Sequence, residues 1–359
     1  MSSNILKPLF KYPGGKSSEI KYLNKLLPYF DTYIEPFLGG GAVFWATEAK
    51  KWVINDCSKE LVLVYKYSQQ QDTIFLEYIK DIGVIWQKKN SYMLDVVELL
   101  LTDNDKEYYK ISEKISRELL SSISVLPKDE EQLTAYLLQG IKRKKKTLTK
   151  IAKKVEISNW NENALGAIGT GIYTYIRLLY NQTDIEEAPQ LKVALYLFLR
   201  EYAYSSMFRY NANGDFNVPF GGNSYAKKDF LYRLKQITDN SVVNKLENTD
   251  ILQGDFTDAF IDEHSTFMFL DPPYDSDFST YNLQVFDAKE QIRLRDELKK
   301  IEKTKWLMIV KSTDFIEELY EKDGWYKVRF DKSYSVNFQN RNDKEVKHLI
   351  ITNYELGIL

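Results

Sequence analysis

The chain has 359 residues, 44% of them hydrophobic, with a formal net charge of −2, one cysteine and two histidines. That length admits one large domain or two modest ones around a sizeable core; no apolar run nears the roughly 18 residues of a spanning helix, and residues 1–16 lack a signal-peptide pattern, so a cytoplasmic location is expected. Cys57 alone makes no internal disulfide or multi-cysteine zinc site, metal catalysis is a poor first expectation, and the charge balance requires any nucleic-acid binding to come from a local basic surface.

Lys11-Tyr12-Pro13-Gly14-Gly15-Lys16 is a first glycine turn, without the spacing of a phosphate-binding P-loop. Tyr33-Ile34 then reads as a strand running into Glu35-Pro36-Phe37-Leu38-Gly39-Gly40-Gly41, after which residues 42–46 start a helix. Such a turn lets the backbone approach a ligand closely and aims helix N–H groups at it. A dinucleotide phosphate, the carboxylate of an amino-acid-like cofactor, or no ligand at all fits that pattern. Residues 52–56 form a short apolar strand ending in Asp56, placed either to bind ribose hydroxyls or to sit at the start of the next helix near Lys59. Together these segments make a βαβ unit.

From about residue 61 to 245 the periodicity is helical, over residues 72–82, 106–123, 133–141, 171–180 and 191–206. A basic run, Lys142-Arg143-Lys144-Lys145-Lys146, reads either as a solvated helix face or as a nucleic-acid contact. Residues 209–222 break the helical pattern with Asn211-Ala212-Asn213-Gly214 flanked by aromatics, a hairpin signal.

Strands return at residues 249–252, 266–270, 306–310 and 348–352, separated by helical segments at 288–301 and 314–320. Gly254-Asp255-Phe256 places an acid and an aromatic after a strand, suited to holding an adenine ring edge-on and face-on, or to a simple turn. Asp271-Pro272-Pro273-Tyr274 follows directly on a strand, at the edge where open α/β sheets bind ligands. The Asp271 carboxylate and the Pro272 carbonyl are two acceptors held rigid by prolines. Facing the N–H bonds of an aromatic amino group, they would make its delocalised nitrogen more nucleophilic, and Tyr274 offers a ring on which an extruded base can stack. The alternative is a strand ending in an Asp-Pro turn with a tyrosine capping the core.

In this order the motifs resemble the Dam-type family of DNA adenine-N6 methyltransferases, over residues 9–56 and about 171–354. The likeness rests on residues 12–16, 35–41 and Asn55-Asp56, on Tyr173, Tyr175-Ile176-Arg177 and Tyr180-Asn181, on residues 209–221, and on Asp255-Phe256 and Asp271-Pro272-Pro273-Tyr274. The resemblance implies an α/β, Rossmann-like methyltransferase fold with a mixed seven-stranded sheet. Residues 1–60 and 246–359 would form the catalytic domain, and residues 61–245 an inserted, mainly helical target-recognition domain carrying a β-hairpin. Residues 83–168 have no counterpart in that likeness.

By the same resemblance Tyr12, Lys16, Pro36, Phe37, Gly39, Gly41, Asp56, Asp255, Phe256 and Asp271 surround S-adenosylmethionine. Asp271, Pro272, Pro273 and Tyr274 hold a flipped adenine for direct methyl transfer, with no covalent enzyme intermediate and no metal. Lys11, Arg209, Asn211, Asn213 and Asn217 face double-stranded DNA, and Lys142, Arg143 and Lys144 are expected to add contacts to it. A restriction endonuclease of the same system is the protein partner the resemblance admits. The tip Ala212-Asn213 lacks the basic side chain that GATC readers of the family tend to present, so another target sequence is expected. Two rivals stay open: methylation of an amino nitrogen of cytosine or RNA, and a non-catalytic DNA-recognition subunit. Carbon-5 methylation of cytosine is disfavoured, because it needs a nucleophilic cysteine and Cys57 sits at the expected cofactor edge.

Overall fold

A computed structural model describes residues 6–12, 14–102, 105–273, 286–333 and 345–356. Seven strands form one sheet: β1 (Thr32–Glu35), β2 (Lys51–Asp56), β3 (Thr249–Gln253), β4 (Thr266–Leu270), β5 (Lys305–Lys311), β6 (Tyr326–Ser333) and β7 (Glu345–Thr352). Their order is β3-β2-β1-β4-β5-β7-β6. The first five run parallel, and β7 lies antiparallel between β5 and β6. β4 is buried at every position and β5 at all but its two ends, as expected of parallel strands covered on both faces. The mixed seven-stranded α/β sheet implied by the resemblance is thus present.

Six of these strands were legible as apolar runs, and β6 was not. It reads Tyr326-Lys327-Val328-Arg329, pairs among the described residues with β7 alone and leaves Tyr326 half exposed. Charged residues interleaved along an edge blunt unwanted pairing with other chains, and they also erase the apolar signature of a strand.

The chain divides into two compact units. The first comprises Met1–Pro8, Gly14–Val62 and Asn244–Leu359 and contains the whole sheet. Its core packs Ile34, Val53, Met268, Trp306, Met308 and Ile351 with Leu294 and Leu298 of the helix Ala288–Leu298. The order reverses beside β1, with β2 on one side and β4 on the other, so the carboxyl ends of the parallel strands open a crevice there.

The second unit comprises Leu9–Pro13 and Leu63–Val243. Its longer helices are Thr73–Lys88, Met93–Leu101, Asp105–Leu120, Glu130–Ala152, Trp160–Gln182 and Pro189–Tyr202. An aromatic cluster of Trp86, Tyr173, Phe198, Tyr202 and Phe220 fills its interior. The helix expected to continue to residue 206 stops at Tyr202, and Ser205 and Ser206 follow with positive φ.

The reversal expected at residues 209–222 is present, but as two isolated bridges, Ala203 to Phe220 and Tyr210 to Phe216, rather than two ladder-paired strands. Backbone bonds flank each bridge, Asn211 N–H to the Asp215 carbonyl and Asn217 N–H to the Arg209 carbonyl at one, and Tyr204 N–H to the Pro219 carbonyl and Gly221 N–H to the Tyr202 carbonyl at the other. Side-chain amides close the tip and satisfy groups that face away from the partner segment. Asn211 Oδ1 accepts from the N–H groups of Asn213 and Asp215, and Asn181 both accepts from Phe216 N–H and donates to its carbonyl.

Candidate active site

The site is built where β1, β2, β3 and β4 end. After β1 the chain enters the turn at residues 36–41, in which Gly39 and Gly41 have φ of 50° and 64°. Any side chain there would be strained, so the glycines are required by the turn itself. Asp56, at the end of β2, accepts the Gly39 N–H on one carboxylate oxygen and the Ser58 N–H on the other, each at 2.9 Å. Asn55 beside it donates its side-chain amide to the carbonyls of Pro36, Gly254 and Asp255, while its backbone carbonyl accepts from Leu38 N–H. A single buried amide on β2 thereby ties together the loops that follow its two neighbours, β1 and β3.

At the end of β4 the buried Lys16 ammonium lies 2.6 and 2.5 Å from the two oxygens of Asp271, and also donates to the Gly14 carbonyl. The first glycine turn therefore delivers its lysine to the carboxylate that opens the Asp-Pro-Pro segment, 255 residues later in the chain. Pro272 is buried and Pro273 exposed; Tyr274 lies outside the described residues.

Glu35 is a site residue to which the sequence motifs assigned no role. It is buried, and Oε2 accepts from the Tyr33 hydroxyl at 2.6 Å and from Phe44 N–H at 2.9 Å. The second bond satisfies an open N–H in the first turn of the helix Ala42–Ala46, whose cap Gly41 has no side chain to offer. Burial pushes the Glu35 carboxyl up to about 8, and the nearby Asp271 acts in the same direction. A carboxylate at the end of an apolar strand was the available signal.

On the β3 side, Phe37 stacks on Phe256 with ring centroids 5.2 Å apart, and Phe286 packs edge-on against both. Asp255 precedes Phe256 and caps the short 3-10 turn Phe256–Ala259. The Arg293 guanidinium beside Asp255 holds its carboxyl well below the usual carboxylate range. Aromatic faces, a carboxylate at their rim, a glycine turn and Asp56 make a donor and acceptor set that fits a purine nucleoside.

The remaining expected residues belong to the helical unit. Lys11 is exposed, whereas Tyr12 packs its ring 4.5 Å from the buried Arg200 guanidinium. Arg209, Asn211, Asn213 and Asn217 are exposed along the reversal. The basic run lies on the helix Glu130–Ala152 and divides in use. Lys144 donates to Asn223 at 2.9 Å and Lys145 to the carbonyls of Leu100 and Thr102, while Lys142, Arg143 and Lys146 are exposed. Desolvation of the Cys57 sulfur, together with the Asp56 carboxylate, pushes its thiol up to about 12, the opposite of what a nucleophilic cysteine needs.

A family model described as D12 class N6 adenine-specific DNA methyltransferase matches residues 12–332. The chain is 27% identical over 357 residues to the Type II methyltransferase M.CviBI of Paramecium bursaria Chlorella virus NC1A, covering 97% of this chain and 100% of that one. It is 25% identical over 372 residues to the Type II methyltransferase M.MjaIII of Methanocaldococcus jannaschii, covering 97% and 99%. With the DNA adenine methylase of Escherichia coli strain K12 the identity is 19% over 367 residues, covering 98% and 97%.

Proposed function

The chain belongs to the D12 class N6 adenine-specific DNA methyltransferases, and on that premise we propose how its residues divide the work of moving a methyl group onto adenine. The observation that carries this reading is the buried Lys16 ammonium bound to both oxygens of Asp271 at the end of β4. Asp271 is the catalytic carboxylate: it accepts one N–H of the target amino group while the Pro272 carbonyl accepts the other, and Lys16 fixes its orientation. The two hydrogen bonds draw the nitrogen lone pair out of the ring and leave the nitrogen ready to attack. The proton that the nitrogen loses passes along the bond Asp271 already accepts. Pro273 stiffens the segment, and Tyr274 supplies the ring on which the flipped base stacks.

S-adenosylmethionine is the methyl donor, carrying an electrophilic methyl group on a sulfonium whose C–S bond electrons stay with sulfur. Phe37 and Phe256 would hold its adenine ring, with Tyr12 as a further aromatic contact, and Asp255 the ring's amino edge. Asp56 would hold the ribose, and Pro36, Gly39 and Gly41 the backbone approach to its amino-acid end. Lys11, Arg209, Asn211, Asn213 and Asn217 would meet duplex DNA, and the absence of a basic side chain at Ala212-Asn213 supports a target other than GATC. Lys142 and Arg143 would add phosphate contacts, whereas the bond from Lys144 to Asn223 supports a bracing role for that lysine. The names of two relatives as Type II methyltransferases support a place beside a cognate restriction endonuclease.

The test is to incubate the protein with labelled S-adenosylmethionine and unmethylated genomic DNA and to map modified bases. N6-methyladenine confined to one short sequence is expected. Asp271→Ala should lower turnover by about a hundred- to a thousandfold, the scale of one preorganised hydrogen bond to the transition state, while duplex binding persists. Normal turnover in that variant would remove Asp271 from the mechanism.

A further inference from the structure

Arg293 lies on the helix Ala288–Leu298, outside every motif that carried the family likeness. Its guanidinium nevertheless closes on the rim of the site. Nη1 donates to Asp255 Oδ1 at 2.9 Å and Nη2 to Oδ2 at 2.6 Å, a bidentate fork. Nε and Nη2 also donate to Glu290 one turn back, which braces the fork from its own helix. The same guanidinium lies 4.2 Å from the centroid of the Phe256 ring, the ring on which Phe37 stacks.

The two oxygens of Asp255 are used unequally. Oδ1 accepts from Arg293 and from both the N–H and the hydroxyl of Thr257, at 3.0 and 2.6 Å, which fills it. Oδ2 accepts from Arg293 alone among the described residues. A carboxylate oxygen has two lone-pair sites, so Oδ2 keeps one acceptor site open.

We propose that Arg293 is a positioning residue that sets cofactor specificity: by gripping Asp255 and lying on Phe256 it orients the open site of Oδ2 to accept a purine amino N–H, so that the pocket selects a 6-amino over a 6-oxo ring. The inference rests on the reading that Asp255 and Phe256 take the adenine end of S-adenosylmethionine. A carbonyl at that position would face a carboxylate with no proton between them, and a site built to accept an N–H strongly rejects an analogue that lacks it. Lysine would not replace arginine here, because a point charge cannot fix both carboxylate oxygens at once. The ion pair is partly exposed, with side chains 36% and 42% accessible, so little of its value should appear as stability.

The experiment uses the full chain and reads binding by calorimetry, comparing S-adenosylhomocysteine with its 6-oxo analogue, S-inosylhomocysteine. The native protein should prefer the amino form by at least about tenfold, the scale of one hydrogen bond to a charged group. Arg293→Met, which keeps an apolar cover on Phe256, should bring that preference within about threefold, and Arg293→Lys should fall between, on the same scale. Asp255→Asn should also abolish it. If Asp255→Asn loses the preference and Arg293→Met retains it, Arg293 is only a surface ion pair and the proposal falls while the reading of Asp255 stands. If both variants retain it, the adenine end is held elsewhere and the reading falls too. Melting curves check that the variants fold, and if Arg293→Met does not, Arg293→Lys decides between the same outcomes.

Discussion

Glu35 occupies a position at which burial and hydrogen bonding pull a carboxyl in opposite directions. The Tyr33 hydroxyl and Phe44 N–H favour its charged form, but desolvation outweighs them, and its pKa rises from 4.5 to about 8. Between those two values the folded chain holds a proton on Glu35 that the unfolded chain has released. Its contribution to stability is therefore complete below about 4.5 and declines as pH rises through about 8. Glu35→Gln removes the titration while keeping a carbonyl oxygen for Tyr33 and Phe44. In melting-temperature profiles the variant should gain on the native protein as pH rises through that window, and an unchanged difference across it would mean that Glu35 titrates normally. The glutamate was visible in the sequence as the residue before Pro36, but its protonation is set by burial and by the nearby Asp271, which only folding brings about.

Among the elements, the helices Glu130–Ala152 and Trp160–Gln182 pack through glycines. A Cβ on Gly171 would lie 2.7 Å from Leu137 Cα, and one on Gly140 would lie 2.7 Å from the Ala167 carbonyl oxygen. Both clashes are with backbone, so no side-chain rotation relieves them. Gly171→Ala would gain on the order of 1 kcal/mol from helix propensity on an open surface; here it should instead destabilise the protein by about 1–3 kcal/mol, the usual cost of overpacking. Urea unfolding measures the sign directly, and a stabilised variant would show that the helices can separate freely. Helical periodicity located both elements but carried no information about which faces meet. The same limit applies to the reversal at residues 209–222, where Asn211-Ala212-Asn213-Gly214 marked the turn but gave no sign that Asn181, from a distant helix, would bind the outward-facing N–H and carbonyl of Phe216.

For the molecule as a whole, a net charge of −2 gives no general attraction to a polyanion, so affinity for DNA depends on where the cations are gathered. On the helix Glu130–Ala152, Lys142, Lys146 and Lys150 recur four residues apart, a spacing that places them on one helical face with Arg143 alongside. Arg143, Lys146 and Lys150 are exposed and form no ion pair among the described residues. Removing a cation that neutralises one phosphate should lower the slope of log affinity against log salt by about 0.9. Replacing Arg143, Lys146 and Lys150 together by alanine is expected to lower it by roughly 2–3 while leaving the methylated sequence unchanged. Filter binding across a salt series checks the slope, and an unaltered slope would make this face a solvated one. Lys144→Ala should act on stability instead, by removing the bond to Asn223.

Composition, period and motif order established from the sequence alone an α/β sheet split by a helical stretch, six of its seven strands, and the family to which the chain belongs. These are local properties: an apolar run, a glycine turn or an acid at a strand end is written in consecutive residues. The edge strand β6 escaped because its pairing is decided by β7 and not by its own composition. Folding alone determined that Lys16 meets Asp271, that one Asn55 amide joins the loops after β1 and β3, that Arg293 grips Asp255, and that the basic run splits between bracing and exposed lysines. Each of these depends on partners far apart in the chain, and only the parallel strand order and the helix packing bring such distant residues to one place.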